Sequence, residues 1–189
     1  MRINKKRIGG LFVVLAMVGL SLALVTIPSD IWINVIGTQN GYLFMYLIAF
    51  IGSISTFASI PYPLFLVSLA AGGFNPILIG LTSALGVTTS DSLTFFAARR
   101  GRALLSQHLK ASFAKLEKQL ERHPHWLAPG LIFYGTLAPL SNDFAVISLS
   151  LMKYKYLSVI PALAVGNIIY NVAIAYFGVS VYDWVMGLL

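Results

Sequence analysis

Two acids stand inside runs of sequence that are otherwise oily, and their neighbours define what they could do. Asp143 lies in "GTLAPLSNDF", beside Ser141 and Asn142 and shortly after Pro139. Asp91 lies in "GVTTSDSLTFF", between Ser90 and Ser92. A carboxyl group in apolar surroundings can take up and release a proton or hold a cation, and an ionisable residue at membrane depth is a functional candidate by default. The same trio Ser141, Asn142 and Asp143 also suits the start of a helix, where a side-chain oxygen satisfies free backbone donors. Neither acid has a histidine in its run, and the chain has no cysteine. With no nucleophile-and-base pair, no acid-rich cluster and no H-E-x-x-H pattern, the sequence offers no enzyme chemistry, metal site or cofactor site.

The surroundings of these acids follow from composition. Of 189 residues, 58% are hydrophobic and 10% charged, against roughly a quarter charged in soluble domains. So little charge cannot solvate an ordinary exterior, so the chain reads as a single integral membrane domain. Its net charge of +7 comes in clusters rather than as a nucleic-acid-binding face. Arg2, Lys5, Lys6 and Arg7 open the chain, seven basic residues lie between Arg99 and Arg122, and Lys153 and Lys155 complete the set. Basic clusters mark the cytoplasmic side and attract anionic head groups.

These charges select a topology. Residues 8–27 are long enough to span and too long for a cleaved signal core. Residues 41–76 hold Pro61 and Pro63, which disfavour a continuous helix, and then break again at "GGFNP". If this stretch enters and leaves on one side, and residues 77–98 cross, the two large basic clusters share the cytoplasm. An amphipathic cytoplasmic helix fills 99–125, with Leu105, Leu109, Phe113, Leu116 and Leu120 at helical spacing. Residues 126–152, broken at Pro139, make a second hairpin entering from the other surface, and 156–177 span. The fold class is therefore an all-α polytopic membrane protein with two opposed, proline-containing re-entrant hairpins. The ending "VYDWVMGLL" is too short to span again by itself.

A shift of eighty residues aligns Ser68 with Ser148, Leu69 with Leu149, Ala84 with Ala164 and Gly86 with Gly166. It also brings Phe96 onto Tyr176 and Asp91 onto Asn171. Hairpins entering from opposite sides would make this an inverted repeat, the organisation of many transporters.

The proline hairpin, "SALGVTTSDSLTFFAARRG" and "LAPLSNDF" together resemble the DedA or VTT superfamily, the SNARE-associated Golgi protein domain, over Phe57 to Phe177. Of the pattern G-x-x-x-G-D-x-x-x-Y-x-x-G-R, Gly86, Asp91, Phe95 and Arg99 are in place, while Ser90 and Ala98 replace glycines. The resemblance implies transport of a phospholipid or polyprenyl-phosphate carrier in the manner of a flippase or scramblase, with proton coupling in some members. There are departures. No acid lies between Asp30 and Asp91, and Thr136 and Asn142 stand where many members carry arginines around the second-hairpin proline.

The expected transport path is therefore Asp91, Asp143, Asn142, Ser141 and Thr136, with Arg99 and Arg100 either meeting a lipid phosphate at the cytoplasmic mouth or fixing topology. Pro61, Pro63 and Pro139 shape the hairpins. Asn167 and Asn171, four apart on one helix face, line the cavity or tie helices together. Expected partners are membrane lipids with anionic head groups and protons, a homo-oligomer is compatible, and nucleic acid is not expected. A prokaryotic cytoplasmic membrane is the expected location. A proton- or ion-coupled solute exporter and a non-catalytic assembly factor are the alternative functions.

Overall fold

The computed structural model describes residues 37, 40–54, 62–104, 107, 120, 124–137 and 142–186. The expected span over 8–27, most of the amphipathic helix over 99–125, and Pro61, Pro139 and Ser141 lie outside the described residues. The described residues are all-helical: α1 Gly41–Ser53, α2 Tyr62–Ala71, α3 Pro76–Gly101, α4 Leu127–Leu137, α5 Asn142–Leu151 and α6 Tyr156–Met186. Short 3-10 turns occupy Arg102–Leu104 and Pro124–Trp126. The start of α3 is written in sequence. Pro76 presets the first turn, and the Asn75 side chain accepts hydrogen bonds from the backbone N–H of Ile77 and Leu78 at 3.0 and 3.2 Å.

The eighty-residue repeat is present in the coordinates. α2 and α5 cover 62–71 and 142–151, and α3 and α6 begin at 76 and 156, so both pairs are offset by eighty. The turns between them match bond for bond. Phe74 N–H donates to Leu69 and Gly73 N–H to Ala70; Tyr154 N–H donates to Leu149 and Lys153 N–H to Ser150. This is a Schellman ending, which needs a left-handed residue. Gly73 supplies it at φ 95° and Lys153 at φ 66°.

α3 and α6 run antiparallel. Gly80 lies against Val172, Ser83 bonds Asn171, Asp91 bonds Asn167 and Ser92 meets Tyr156, so numbers rise along one helix as they fall along the other. Two equivalent units are thus inverted with respect to each other. The short helices are exchanged: α2 packs on α6 and α5 on α3. α1 packs on α3, and α4 on α6.

Two glycines allow those last contacts. A Cβ on Gly86 would lie 3.0 Å from the backbone nitrogen of Phe50 in α1, and one on Gly166 would lie 2.7 Å from the carbonyl oxygen of Ile132 in α4. These positions correspond in the repeat. Gly166→Ala gains up to about 1 kcal/mol of helix propensity but must push a backbone away, which costs about 1–3 kcal/mol. A lowered unfolding midpoint is expected. Gly130→Ala, where a Cβ meets nothing within 4 Å, should raise it.

Two apolar clusters fill the interior, one around Met45, Leu66 and Ile79 and one around Phe95, Val146 and Leu163, yet the outside is also rich in large apolar side chains. Leu43, Leu85, Phe133, Phe144, Phe177 and Trp184 face outward, whereas Ser83, Ser90, Asp91, Asn167 and Asn171 are buried. Among the described residues one helix, α6 over Tyr156–Val181, is both long and apolar enough to cross a membrane. α3 has 26 residues, but its middle carries the polar run from Thr88 to Ser92. α6 also extends past the expected end at 177, through Met186, which places "VYDWVM" on the same helix.

Candidate functional site

The buried polar residues converge where the start of α5 meets the middles of α3 and α6. Asp91, 2% exposed, is the hub. Its Oδ2 accepts from the Asn142 amide at 3.1 Å and from the Asn167 amide at 3.0 Å. Asn142 also donates to Asn167 Oδ1 at 2.7 Å, and Asn167 to the Thr88 hydroxyl at 3.3 Å. One carboxylate oxygen therefore holds together three helices, α3, α5 and α6.

The network continues towards the other end of the bundle. Asn171 donates to the Asn167 carbonyl at 2.8 Å and accepts from the Ser83 hydroxyl at 2.8 Å. Tyr62, the first residue of α2, lies beside Asn171. Under the eighty-residue offset Tyr62 corresponds to Asn142, and Asn171 to Asp91. Each half-length helix thus sets its first residue beside the same position on the long helix of the opposite unit.

Asp143 is buried in the first turn of α5 and interacts electrostatically with both Asp91 and Tyr134. The two aspartates are therefore neighbours across α3 and α5. Thr136 is in the last turn of α4, with its hydroxyl bonded back to the Ile132 carbonyl at 2.8 Å. Pro63 is the second residue of α2, where a missing N–H costs nothing.

The arginines are placed elsewhere. Arg99 donates to the Tyr154 carbonyl and lies over the Phe95 ring, 5.1 Å from its centroid. Arg102 donates to the carbonyl of Leu151, the last residue of α5. Both cap the C-terminal end of α5 and its turn, where free carbonyls favour cations. Arg100 is exposed. Val179 occupies the position equivalent to Arg99, so the other end of the bundle has no such clamp from that position.

Thr88, Ser83 and Tyr62 belong to the network and were not singled out from sequence. For Tyr62 a signal existed, since the eighty-residue shift places it on Asn142. The chemistry available is that of a titratable carboxyl held by amide donors, inside an oily bundle, at the tip of a half-length helix. It is suited to protons, cations or polar groups in transit. Comparison with protein-family models, with curated proteins and with solved structures finds no match.

Proposed function

We propose that the chain is a polytopic membrane protein that moves a phosphate-bearing lipid, a phospholipid or a polyprenyl-phosphate carrier, between leaflets, with proton exchange at Asp91. In this reading both hairpins are re-entrant. α1, α2, α4 and α5 have 13, 10, 11 and 10 residues, about 15–20 Å each, and a bilayer core of about 30 Å is beyond any of them. α3, about 39 Å long, crosses beside α6. The cytoplasmic surface is the one bearing Arg99, Arg100, Arg102, Lys153 and Lys155, and the membrane is a prokaryotic cytoplasmic membrane.

The single observation that carries the reading is the Asp91–Asn142–Asn167 network, buried where the first residue of the half-length helix α5 meets the middles of α3 and α6. The barrier to lipid crossing is dehydration of the head group. Polar side chains at mid-depth lower it, while the tails stay against the oily outer faces of α3 and α6. The resemblance to the DedA or VTT superfamily supports the same reading.

The test is a fluorescent-lipid assay in proteoliposomes holding the full chain. Head-group-labelled lipid is expected to cross at least tenfold faster than in protein-free vesicles. If no lipid moves and a solute drives proton flux instead, the chain is a coupled exporter. If neither occurs, transport is not its function.

A further inference from the structure

We propose that α2 is the moving helix of the bundle. It swings off α6 about the glycine turn at Gly72–Gly73 and opens the Ser83–Asn171 end of the polar network, while its counterpart α5 stays fixed to α3. What the opening admits, the head group of a lipid, rests on the lipid-transport reading. The movement itself rests on how differently the two equivalent helices are held.

α5 is held by polar bonds. Ser150, fully buried in its last turn, donates to the Phe95 carbonyl at 2.6 Å. Arg102 donates to the carbonyl of Leu151, the last residue of α5, and Arg99 to that of Tyr154 in the following turn. At the start of α6 the Tyr156 hydroxyl meets that of Ser92 at 2.9 Å. The Tyr156 ring lies edge-on to Phe95 and stacked on Phe96, with centroids 5.6 and 5.1 Å away. At the opposite end of α5, Asn142 donates to both Asp91 and Asn167. Lifting α5 would leave these donors and acceptors unpaired in apolar surroundings, which strongly opposes it.

α2 is held through apolar surface at the equivalent positions. Among the described side chains, the offset of eighty puts Ala70 for Ser150, Ala175 for Phe95, Val179 for Arg99 and Val172 for Ser92. Ala70 and Ala175 are buried in one apolar cluster with Leu66 and Leu69, and Val179 packs against it. Lipid tails are as apolar as this surface, so within a bilayer no hydrophobic force opposes exchanging such contacts for lipid. At the tip, Asn171 beside Tyr62 keeps its partners without α2. It donates to the Asn167 carbonyl and accepts from Ser83, each at 2.8 Å.

The two turns differ in the same sense. Both need a left-handed residue. Lys153 takes that conformation at φ 66°, between the two carbonyls that Arg102 and Arg99 hold. Gly73 takes it at φ 95°, with nothing within 4 Å of where a Cβ would sit. Glycine leaves that conformation for others without steric penalty, as a hinge requires.

Two measurements on the full chain test the hinge. Hydrogen exchange in nanodiscs, read by peptide mass spectrometry, compares residues 65–71 of α2 with the equivalent 145–151 of α5. Protection of α2 is expected to be at least tenfold lower, the mark of a helix that opens locally. The second measurement uses Val67→Cys with Gly178→Cys in a chain that has no other cysteine. The Val67 Cβ lies 3.2 Å from where one on Gly178 would sit, near the separation a disulfide bridges. Oxidation by copper phenanthroline should raise the protection of α2 to that of α5 and slow lipid movement in proteoliposomes at least tenfold. Reduction of the same sample should reverse both. Weak protection of α2 that the disulfide raises, in a chain that moves no lipid, keeps the hinge and removes the lipid-transport reading. Lipid movement at one rate with the disulfide formed and broken keeps transport and overturns the hinge. Equal protection of α2 and α5 in the native chain also overturns it, and that comparison decides alone should the cysteine pair fail to fold.

Discussion

Asp91→Asn is expected to leave the fold standing and to stop most lipid movement. Asn142 and Asn167 both donate to a single oxygen of Asp91, Oδ2. An asparagine carbonyl can occupy that place, so both amides keep an acceptor and stability should change by no more than about 1 kcal/mol. What disappears is the proton. The rate of lipid movement should fall by about tenfold or more, equivalent to roughly 1.4 kcal/mol or more added to the barrier. The remaining rate should be flat with pH across the neutral region. Asp91→Leu makes the opposite demand: it strands two buried amide donors at about 1–3 kcal/mol each, and should lower the unfolding midpoint sharply. The pair of variants separates chemistry from structure. If Asp91→Asn moves lipid at the native rate with the native pH profile, Asp91 is a packing residue and the proton role is lost.

Much of this arrangement was legible in the chain before its coordinates. Pro63 and the "GGFNP" break mark the start and end of α2 because proline and glycine act on the local backbone, where sequence and structure are directly coupled. The offset of eighty could be read from a handful of identities, since Gly86 and Gly166 each meet a backbone and cannot readily be exchanged for a larger residue. Asn167 and Asn171 were placed on one face by their spacing alone.

What was not legible is which hydroxyls matter. Thr82, Thr89, Ser92 and Thr136 all donate to the carbonyl four residues earlier, the ordinary way such residues are satisfied in apolar helices. Ser83, which bonds across to Asn171, and Ser90, which bonds nothing described, look no different in a string of letters. The distinction depends on how α3 is rotated against α6. The arginines were ambiguous for a related reason. A cation near a helix end serves a phosphate or a carbonyl equally well, and only the fold shows that the C-terminal end of α5 lies beside Arg99 and Arg102.

The proposed re-entrant topology makes the largest all-or-none prediction. The chain has no cysteine, so single cysteines can be introduced without background and labelled from one side with a membrane-impermeant maleimide. Asn40 precedes α1 and Asn75 precedes α3. If α1 and α2 enter and return, both positions lie on the same surface, and Asn40→Cys and Asn75→Cys should label from outside in intact cells. His125 precedes α4 and Lys153 follows α5. His125→Cys and Lys153→Cys should label only after the cells are opened. A chain that simply crosses at each hydrophobic stretch gives a different pattern. Position 75 would then lie within the bilayer and stay unlabelled, and the basic cluster after Arg99 would lie outside. The inverted unit is what makes the result sharp: one unit alone could dip into a bilayer from either face, but two units related by the antiparallel α3–α6 pair must dip from opposite faces. Labelling of positions 75 and 153 from the same side would contradict that antiparallel pair across a membrane. With it would go the proposed route for lipid through the bundle.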